Sequence, residues 1–337
     1  MNPGMNPGAH PDMTPEAGGI GPDAVEAAGR VVGGRLDPSP CLRSAPLETV
    51  LRRPLWLKCE LFQPTGSFKP RGALNWLANA TEAERAGGLV AVSAGNHGMG
   101  LAWAAGREGV PVTVVMPEGS SPYKAEACRH YGAEVILHGD IHAAWRRARE
   151  LVAERGATLV PPYDEPRIIA GQGSVGLELQ AQCPGLHTVL CPVGGGGLIC
   201  GLGLALKACR PDVRIVGVEP AGASTLGAAW DAGRPVALTG IDTIAASLGA
   251  NRAGEHTYAI SREVVDELVT VDDDSIVAAA RAVITEGKLY AEPGAVLGVA
   301  ALMDGTVRPP AEAGVATVIT GGNLDRDLLY RLLERAG

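Results

Sequence analysis

Short apolar runs alternate with longer helical patterns along most of this chain, and that alternation restricts the fold more than any other feature of the sequence. The runs compatible with strands are Leu55–Leu61, Leu89–Ser93, Val112–Met116, Glu134–Leu137, Thr158–Val160, Thr188–Val193, Arg214–Glu219 and Ala316–Thr320. Several are nearly continuous Val, Ile and Leu, as parallel strands covered on both faces require. Helical patterns lie at His97–Glu108, Tyr123–Tyr131, Ile141–Glu154, Ser174–Gln182, Leu198–Cys209, Asp274–Glu286 and Asp325–Arg335. The alternation implies βαβ units with right-handed crossovers, hence an α/β protein. Functional groups then belong in loops at the carboxyl ends of the strands. Three such loops are rich in Gly, Ser or Asn: Ser93-Ala94-Gly95-Asn96-His97, Gly194–Gly197 and Thr320-Gly321-Gly322-Asn323.

A chain of 337 residues can form two domains, or one large domain with an insert. Aromatic residues are only 4% against 46% hydrophobic, so the core must be mostly Ala, Val, Leu and Ile. The net charge is -8 and no basic stripe carries interleaved aromatics, which argues against a nucleic-acid partner. No apolar run approaches the ~18 residues that span a bilayer. The N-terminus lacks the charged start and apolar stretch of a secretory signal, so a cytoplasmic protein is expected. Seven cysteines, an odd number with no C-x-x-C pair, argue against a disulfide framework or a zinc site and suit small buried hydrophobes in a reducing compartment. Residues 1–22 are rich in Pro and Gly, with Met1-Asn2-Pro3-Gly4 repeated as Met5-Asn6-Pro7-Gly8, and are expected to form a disordered tail. Folded sequence should begin near Asp23.

Two features carry chemistry. Lys69 follows the turn-rich Gln63-Pro64-Thr65-Gly66, and Pro70 beside it suits the first turn of a helix. A lysine staged in this way suits a nucleophile that must hold one position and lose its proton. The second feature is Gly194-Gly195-Gly196-Gly197-Leu198, which follows a strand and opens a helix. Glycine frees the backbone N–H groups to turn inward, and the helix N-terminus adds positive potential, so this is a phosphate site. The residues alone leave its ligand open. The G-x-G-x-x-G pattern fails in both registers, at Ile199 and at Cys200, yet Glu219 stands at the distance of a ribose-binding acid. A tight turn that merely packs helix on strand is the alternative.

In order along the chain stand Ser67-Phe68-Lys69-Pro70-Arg71-Gly72-Ala73, Ser93-Ala94-Gly95-Asn96-His97-Gly98, Ala170-Gly171-Gln172-Gly173, the glycine cup, Glu292-Pro293 and Thr320-Gly321-Gly322-Asn323. With these motifs the chain, from about Asp23 onward, resembles the pyridoxal-phosphate enzymes of fold type II, in the threonine/serine dehydratase and serine racemase group. The resemblance implies a tryptophan synthase β-like fold of two three-layer α/β domains with largely parallel sheets. Residues 23–87 plus 166–337 would form a large cofactor-binding domain, and 88–165 a small mobile one. It also implies pyridoxal 5'-phosphate as cofactor, with Lys69 as its covalent anchor and the catalytic base. Phe68 would pack against the cofactor and Asn96 would bond its ring hydroxyl. Gly194, Gly195, Gly196, Gly197 and Leu198 would hold its phosphate, and Thr320 would face the pyridine nitrogen. Ser93 and the backbone of Ala94, Gly95, Asn96 and His97 would receive the substrate carboxylate.

The expected reaction is dehydration and deamination of a β-hydroxy-α-amino acid such as threonine, serine or a bulkier 3-hydroxy amino acid. A neutral Thr320 opposite the ring nitrogen makes a weaker electron sink than a carboxylate, which favours β-elimination over transamination. Ala94 stands where the similar serine racemases carry an acid serine, which disfavours racemisation. Racemisation, β-replacement, and a cofactor-binding pseudoenzyme or sensor are the alternatives. The chain departs from the family pattern at Ser247, where glycine is usual, and at Glu292-Pro293-Gly294-Ala295-Val296, where E-P-x-G-A is usual. Trp145 stands where an arginine is found in serine racemase-like chains. Either this indole packs in the core or, with the other departures, it favours a bulkier, less polar side chain. Related chains bind a divalent cation through positions matching Glu219 and the Ala223 carbonyl, but Thr225 replaces the third, acidic ligand. No tightly held metal is therefore expected, with Glu219 and Ala223 as the ligands if one binds. The partner is a small-molecule amino acid, and homodimers are common in the family. No segment follows Gly337, so feedback through the C-terminal regulatory domain of biosynthetic threonine deaminases is not expected.

Overall fold

A computed structural model describes residues 19–334. The expected tail falls mostly outside them, and the described fold enters its first helix, α1, at Pro22–Gly33. Two sheets follow. The smaller is wholly parallel, in the order β5-β4-β3-β6, built from β3 (Leu89–Val92), β4 (Val112–Met116), β5 (Glu134–Leu137) and β6 (Thr158–Leu159). The period of two sorts its side chains. Leu89, Ala91, Val114 and Met116 pack towards α5 (Asn96–Arg107) and α6 (Pro122–His130), whereas Val90, Val92 and Val115 pack towards α7 (Ile141–Arg155). Trp145 of α7 joins this second cluster as a half-buried core residue. Helix starts are set locally: Ser121 accepts from the Lys124 N–H, Asp140 from Ala143, and Gly156, at φ 65°, ends α7.

The larger sheet runs β1-β2-β10-β7-β8-β9. Its parallel members are β2 (Trp56–Cys59), β7 (Leu186–Pro192), β8 (Arg214–Pro220), β9 (Glu267–Val271) and β10 (Gly314–Ile319). The edge strand β1 (Cys41–Arg43) is antiparallel to β2. One face packs on α1, α8 (Pro166–Gln182), α9 (Gly197–Cys209) and α11 (Glu255–Val264). The other packs on α2 (Ala45–Leu51), α12 (Asp273–Thr285), α13 (Leu297–Met303) and α14 (Arg326–Glu334). The short α4 (Glu82–Ala86) leads into the small sheet, and α10 (Thr225–Ala232) follows β8.

Helix α3 (Lys69–Ala78) touches both halves, lying against α1 and α8 on one side and α5 on the other. Its anchor is a buried ionic network. Arg71 donates to Glu60 at 2.7 Å and to Glu178 at 2.6 Å, and Lys58 donates to Glu178 at 2.5 Å and to Gln182 at 2.7 Å. Helix α8 starts eight residues before the expected Ser174, because Gly171 and Gly173 mask its helical pattern. They are contact glycines. A Cβ on Gly171 would come within 2.7 Å of the Arg71 carbonyl, and one on Gly173 within 2.7 Å of the Gly201 carbonyl. Strand β2 ends before the expected Leu61 because Glu60–Phe62 turns into a short 3-10 helix. Five cysteines are buried as expected, but Cys41 is half-buried and Cys209 exposed. Among the described residues no helix is long and apolar enough to cross a membrane.

Candidate active site

Two loops zip together to stage Lys69. The Phe68 N–H donates to the Thr320 carbonyl at 3.1 Å, and the Gly322 N–H donates to the Gly66 carbonyl at 2.8 Å. The Asn323 amide donates to the Thr65 carbonyl at 2.8 Å and to Asn96 Oδ1 at 2.8 Å. Gly66, at φ 70°, makes the turn, and a Cβ there would meet Asn323 at 2.7 Å. Lys69 thus opens α3 with Pro70 in its first turn, as the sequence suggested. Its Nζ donates to the Pro162 carbonyl at 2.8 Å and lies 5.0 Å from the centre of the Phe68 ring. Burial lowers its pKa to about 8. Gly100 of α5 leaves it room, since a Cβ there would stand 2.9 Å from the Lys69 Cβ.

The Ser93–His97 loop faces this amine from the small sheet. The Ser93 hydroxyl accepts from the N–H groups of Gly95 at 3.2 Å and Gly98 at 3.0 Å, so the side chain shapes the loop whose backbone was expected to bind a carboxylate. No side chain caps the start of α5, and Ala94 is exposed. Asn96 is buried and donates to Glu292 at 2.6 Å. His97 Nε2 meets the Val160 carbonyl at 2.9 Å, and burial, with the charge of Lys69, lowers its pKa to about 3. His97 is therefore a neutral structural ring.

The glycine cup lies where β7 hands over to α9. Gly196 has φ 90°, and no side chain caps the helix. A Cβ on Gly195 would overlap the ring of Tyr163, and one on Gly197 would come within 2.9 Å of the Tyr163 carbonyl. Tyr163 is itself held by a 2.7 Å hydrogen bond from its hydroxyl to the Arg252 carbonyl. Leu198 is buried beneath the cup. The glycines thus serve close packing and leave their N–H groups unscreened by side chains.

Four residues that sequence reasoning did not place in the site belong there. Lys124 of α6 lies 3.9 Å from Glu292 and brings a second ammonium beside Gly95. Glu292, Asn323 and Tyr163 complete the set, and burial raises the Glu292 pKa. Glu292 and Asn323 stood within quoted motifs; nothing local marks Lys124 or Tyr163. A cleft of about 340 Å³ opens beside the site, with Tyr123, Tyr131 and Tyr290 on its walls and Asn323 shared with the Asn96 contact.

Ser247, where the chain departs from the family pattern, packs against the Glu292–Val296 segment that carries the second departure. The Ser247 hydroxyl oxygen lies well inside contact distance of where a Cβ on Gly294 would stand. Glu219 accepts from the N–H groups of Leu226 at 2.7 Å and Gly227 at 2.9 Å and from the Ser224 hydroxyl at 3.0 Å. It therefore caps α10, and burial raises its pKa to about 7. The Ala223 carbonyl accepts from Thr225 at 3.3 Å.

A phosphorylated pyridine fits this arrangement. Lys69 has a carbonyl partner and no carboxylate. The cup offers uncapped N–H groups, the Ser67 hydroxyl is buried without a partner, and Thr320 makes only a 3.5 Å contact with the Gly294 carbonyl.

Residues 34–321 match the model of a family described as pyridoxal-phosphate dependent enzyme. The chain is 39% identical over 283 residues to an L-threonine ammonia-lyase of Geobacter sulfurreducens, covering 84% of this chain and 70% of the relative. Among solved structures it is similar to a threonine deaminase from T.th., with TM-score 0.85, 40% identity, and coverage of 91% of this chain and 99% of that one. It is also similar to maize serine racemase, with TM-score 0.87, 32% identity, and coverage of 93% and 96% respectively.

Proposed function

This chain belongs to the pyridoxal-phosphate dependent enzymes, and on that premise we propose that it is an ammonia-lyase converting a β-hydroxy-α-amino acid to a 2-oxo acid and ammonia. The observation that carries this reading is a buried Lys69 amine, its pKa lowered to about 8, facing a loop in which Ala94 offers no proton. The bound cofactor supplies the electron sink at Cα.

The protein's own groups do the rest. Gly194–Gly197 with Leu198 would hold the phosphate, Asn96 would orient the ring hydroxyl, Phe68 would lie against the ring and Thr320 would give its nitrogen a neutral partner. The backbone of Ala94–His97, in the turn shaped by Ser93, takes the substrate carboxylate. Lys69 removes the α-proton, the β-hydroxyl takes up one proton and leaves as water, and hydrolysis of the dehydrated imine by one water gives the 2-oxo acid and ammonia. Residues 88–165 act as a small mobile unit against 23–87 plus 166–337. Polar contacts bridge the two across the cleft, from Lys124 to Glu292, from Ser121 to Asp325 at 2.5 Å and from the Tyr131 hydroxyl to the Pro64 carbonyl at 3.1 Å. We place the enzyme in the cytoplasm as a homodimer acting on free amino acids.

One observation favours a second reading, amino-acid racemisation. The Lys124 ammonium would stand 3.6 Å from a Cβ on Gly95, so an amine is present on the loop side. Incubation with L-threonine, L-serine, phenylserine and 3-hydroxyaspartate, with 2-oxo acid and enantiomer assays in parallel, separates the two. We expect 2-oxo acid and ammonia in equal amounts; enantiomer without 2-oxo acid would overturn the proposal.

A further inference from the structure

We propose that Cys41 and Cys183 form a reversible dithiol–disulfide site, closed by a small-molecule disulfide such as oxidised glutathione. Their sulfurs stand 3.1 Å apart although 142 positions separate the residues in the chain. That is already inside the ordinary contact distance of two sulfurs, and a covalent bond needs an approach of only about 1 Å more.

The surroundings allow that approach. Cys183 ends α8 outside helical geometry, at φ -116° and ψ 85°, with Pro184 and Gly185 next. Cys41 lies on β1, which among the described residues pairs only with β2, at the edge of the larger sheet. Three of the four remaining buried thiols donate to carbonyls instead: Cys59 to Leu57 at 3.3 Å, Cys200 to Thr257 at 3.2 Å and Cys191 to Pro192 at 3.6 Å.

The pair is also chemically asymmetric. Cys41 is half-buried, and the hydrogen bond from Cys183, with the charge of Lys58 across the strand pair, lowers its pKa. Cys183 is fully buried and its thiol is pushed up, chiefly by the same hydrogen bond. Cys41 therefore ionises first and is the sulfur a reagent can reach. Its thiolate attacks one sulfur of oxidised glutathione and expels one glutathione thiolate. Cys183 then loses its proton and attacks the Cys41 sulfur of the mixed disulfide, expelling the second glutathione. Two protein thiols have lost two electrons and two protons, and one glutathione disulfide has become two thiols. The new bond would tie the edge strand to the end of α8, the helix whose Glu178 holds both Lys58 and Arg71.

The test uses the cofactor-loaded enzyme treated with oxidised glutathione, alkylated, digested without reductant and mapped by mass. We expect one peptide pair joining Cys41 to Cys183, released by dithiothreitol, and an unfolding temperature several degrees above that of the reduced protein. C209S should retain the link, and C183S should stop at a glutathione adduct on Cys41. Alkylation of both Cys41 and Cys183, an unresolved adduct on Cys41 in the wild type, or linkage only through Cys209 would each overturn the proposal. None of these readouts depends on the substrate.

Discussion

Lys69 and Arg71 stand two residues apart in the first turn of α3, and the fold treats the two cations in opposite ways. Arg71 is completely buried and bonded to Glu60, Glu178 and Ser174. Lys69 has one neutral carbonyl, from Pro162, and no acid to hold its proton. A buried cation with carboxylates is a fixed structural charge. A buried amine without one is ready to lose its proton and react. The same turn thus contains the anchor and the proposed reagent.

Three substitutions and one titration probe this division. Lys69→Ala should have the largest effect, lowering turnover by ~10³-fold or more while leaving the fold intact. A visible band of lysine-bound cofactor that survived in the variant would break the assignment. Arg71→Met should do the reverse, costing about 3–5 kcal/mol in urea unfolding because the buried Glu60 loses its cation and Glu178 keeps only Lys58. Its folded fraction should still turn over substrate. Gly100→Ala presses a methyl group against Lys69 and should cost about 1–3 kcal/mol of folding stability; displacement of the amine by even ~1.4 kcal/mol at the barrier would lower kcat roughly 10-fold at little-changed KM.

The smallest effect is a titration in the cofactor-free protein. The folded-state pKa of Lys69 is lowered from 10.5 to about 8, so between those values the unfolded chain binds the extra proton. Stability should therefore rise with pH across that window, by at most ~1.4 kcal/mol per pH unit. Arg71 does not titrate there. Subtracting the curve of Lys69→Met isolates the contribution, and equal slopes would show that the amine is not desolvated.

The central strands and the loops at their ends were legible because their signals are local. Continuous apolar runs marked β3, β4, β7, β8 and β10, and glycine marked the cup. Strand β9 escaped because it is an edge strand, half-exposed and alternating with Glu267 and Thr270, and β1 has only three residues. In α8 the glycines that allow close helix packing are the residues that weaken its helical pattern. In the site, Lys69 was legible from its staging, but Lys124 was not. Lys124 reaches Glu292 only because the small sheet carries α6 across the cleft, and no sequence spacing encodes that meeting. The pattern departures at Ser247 and at Ala295-Val296 were visible in the sequence; the contact of Ser247 with Gly294 was not.

That contact determines how the two positions tolerate mutation. Gly294→Ala alone would collide with Ser247, whereas Ser247→Gly alone would leave a gap beside Gly294. Gly294→Ala should therefore be better tolerated when Ser247→Gly accompanies it, so the two positions are coupled and their effects on stability should not add.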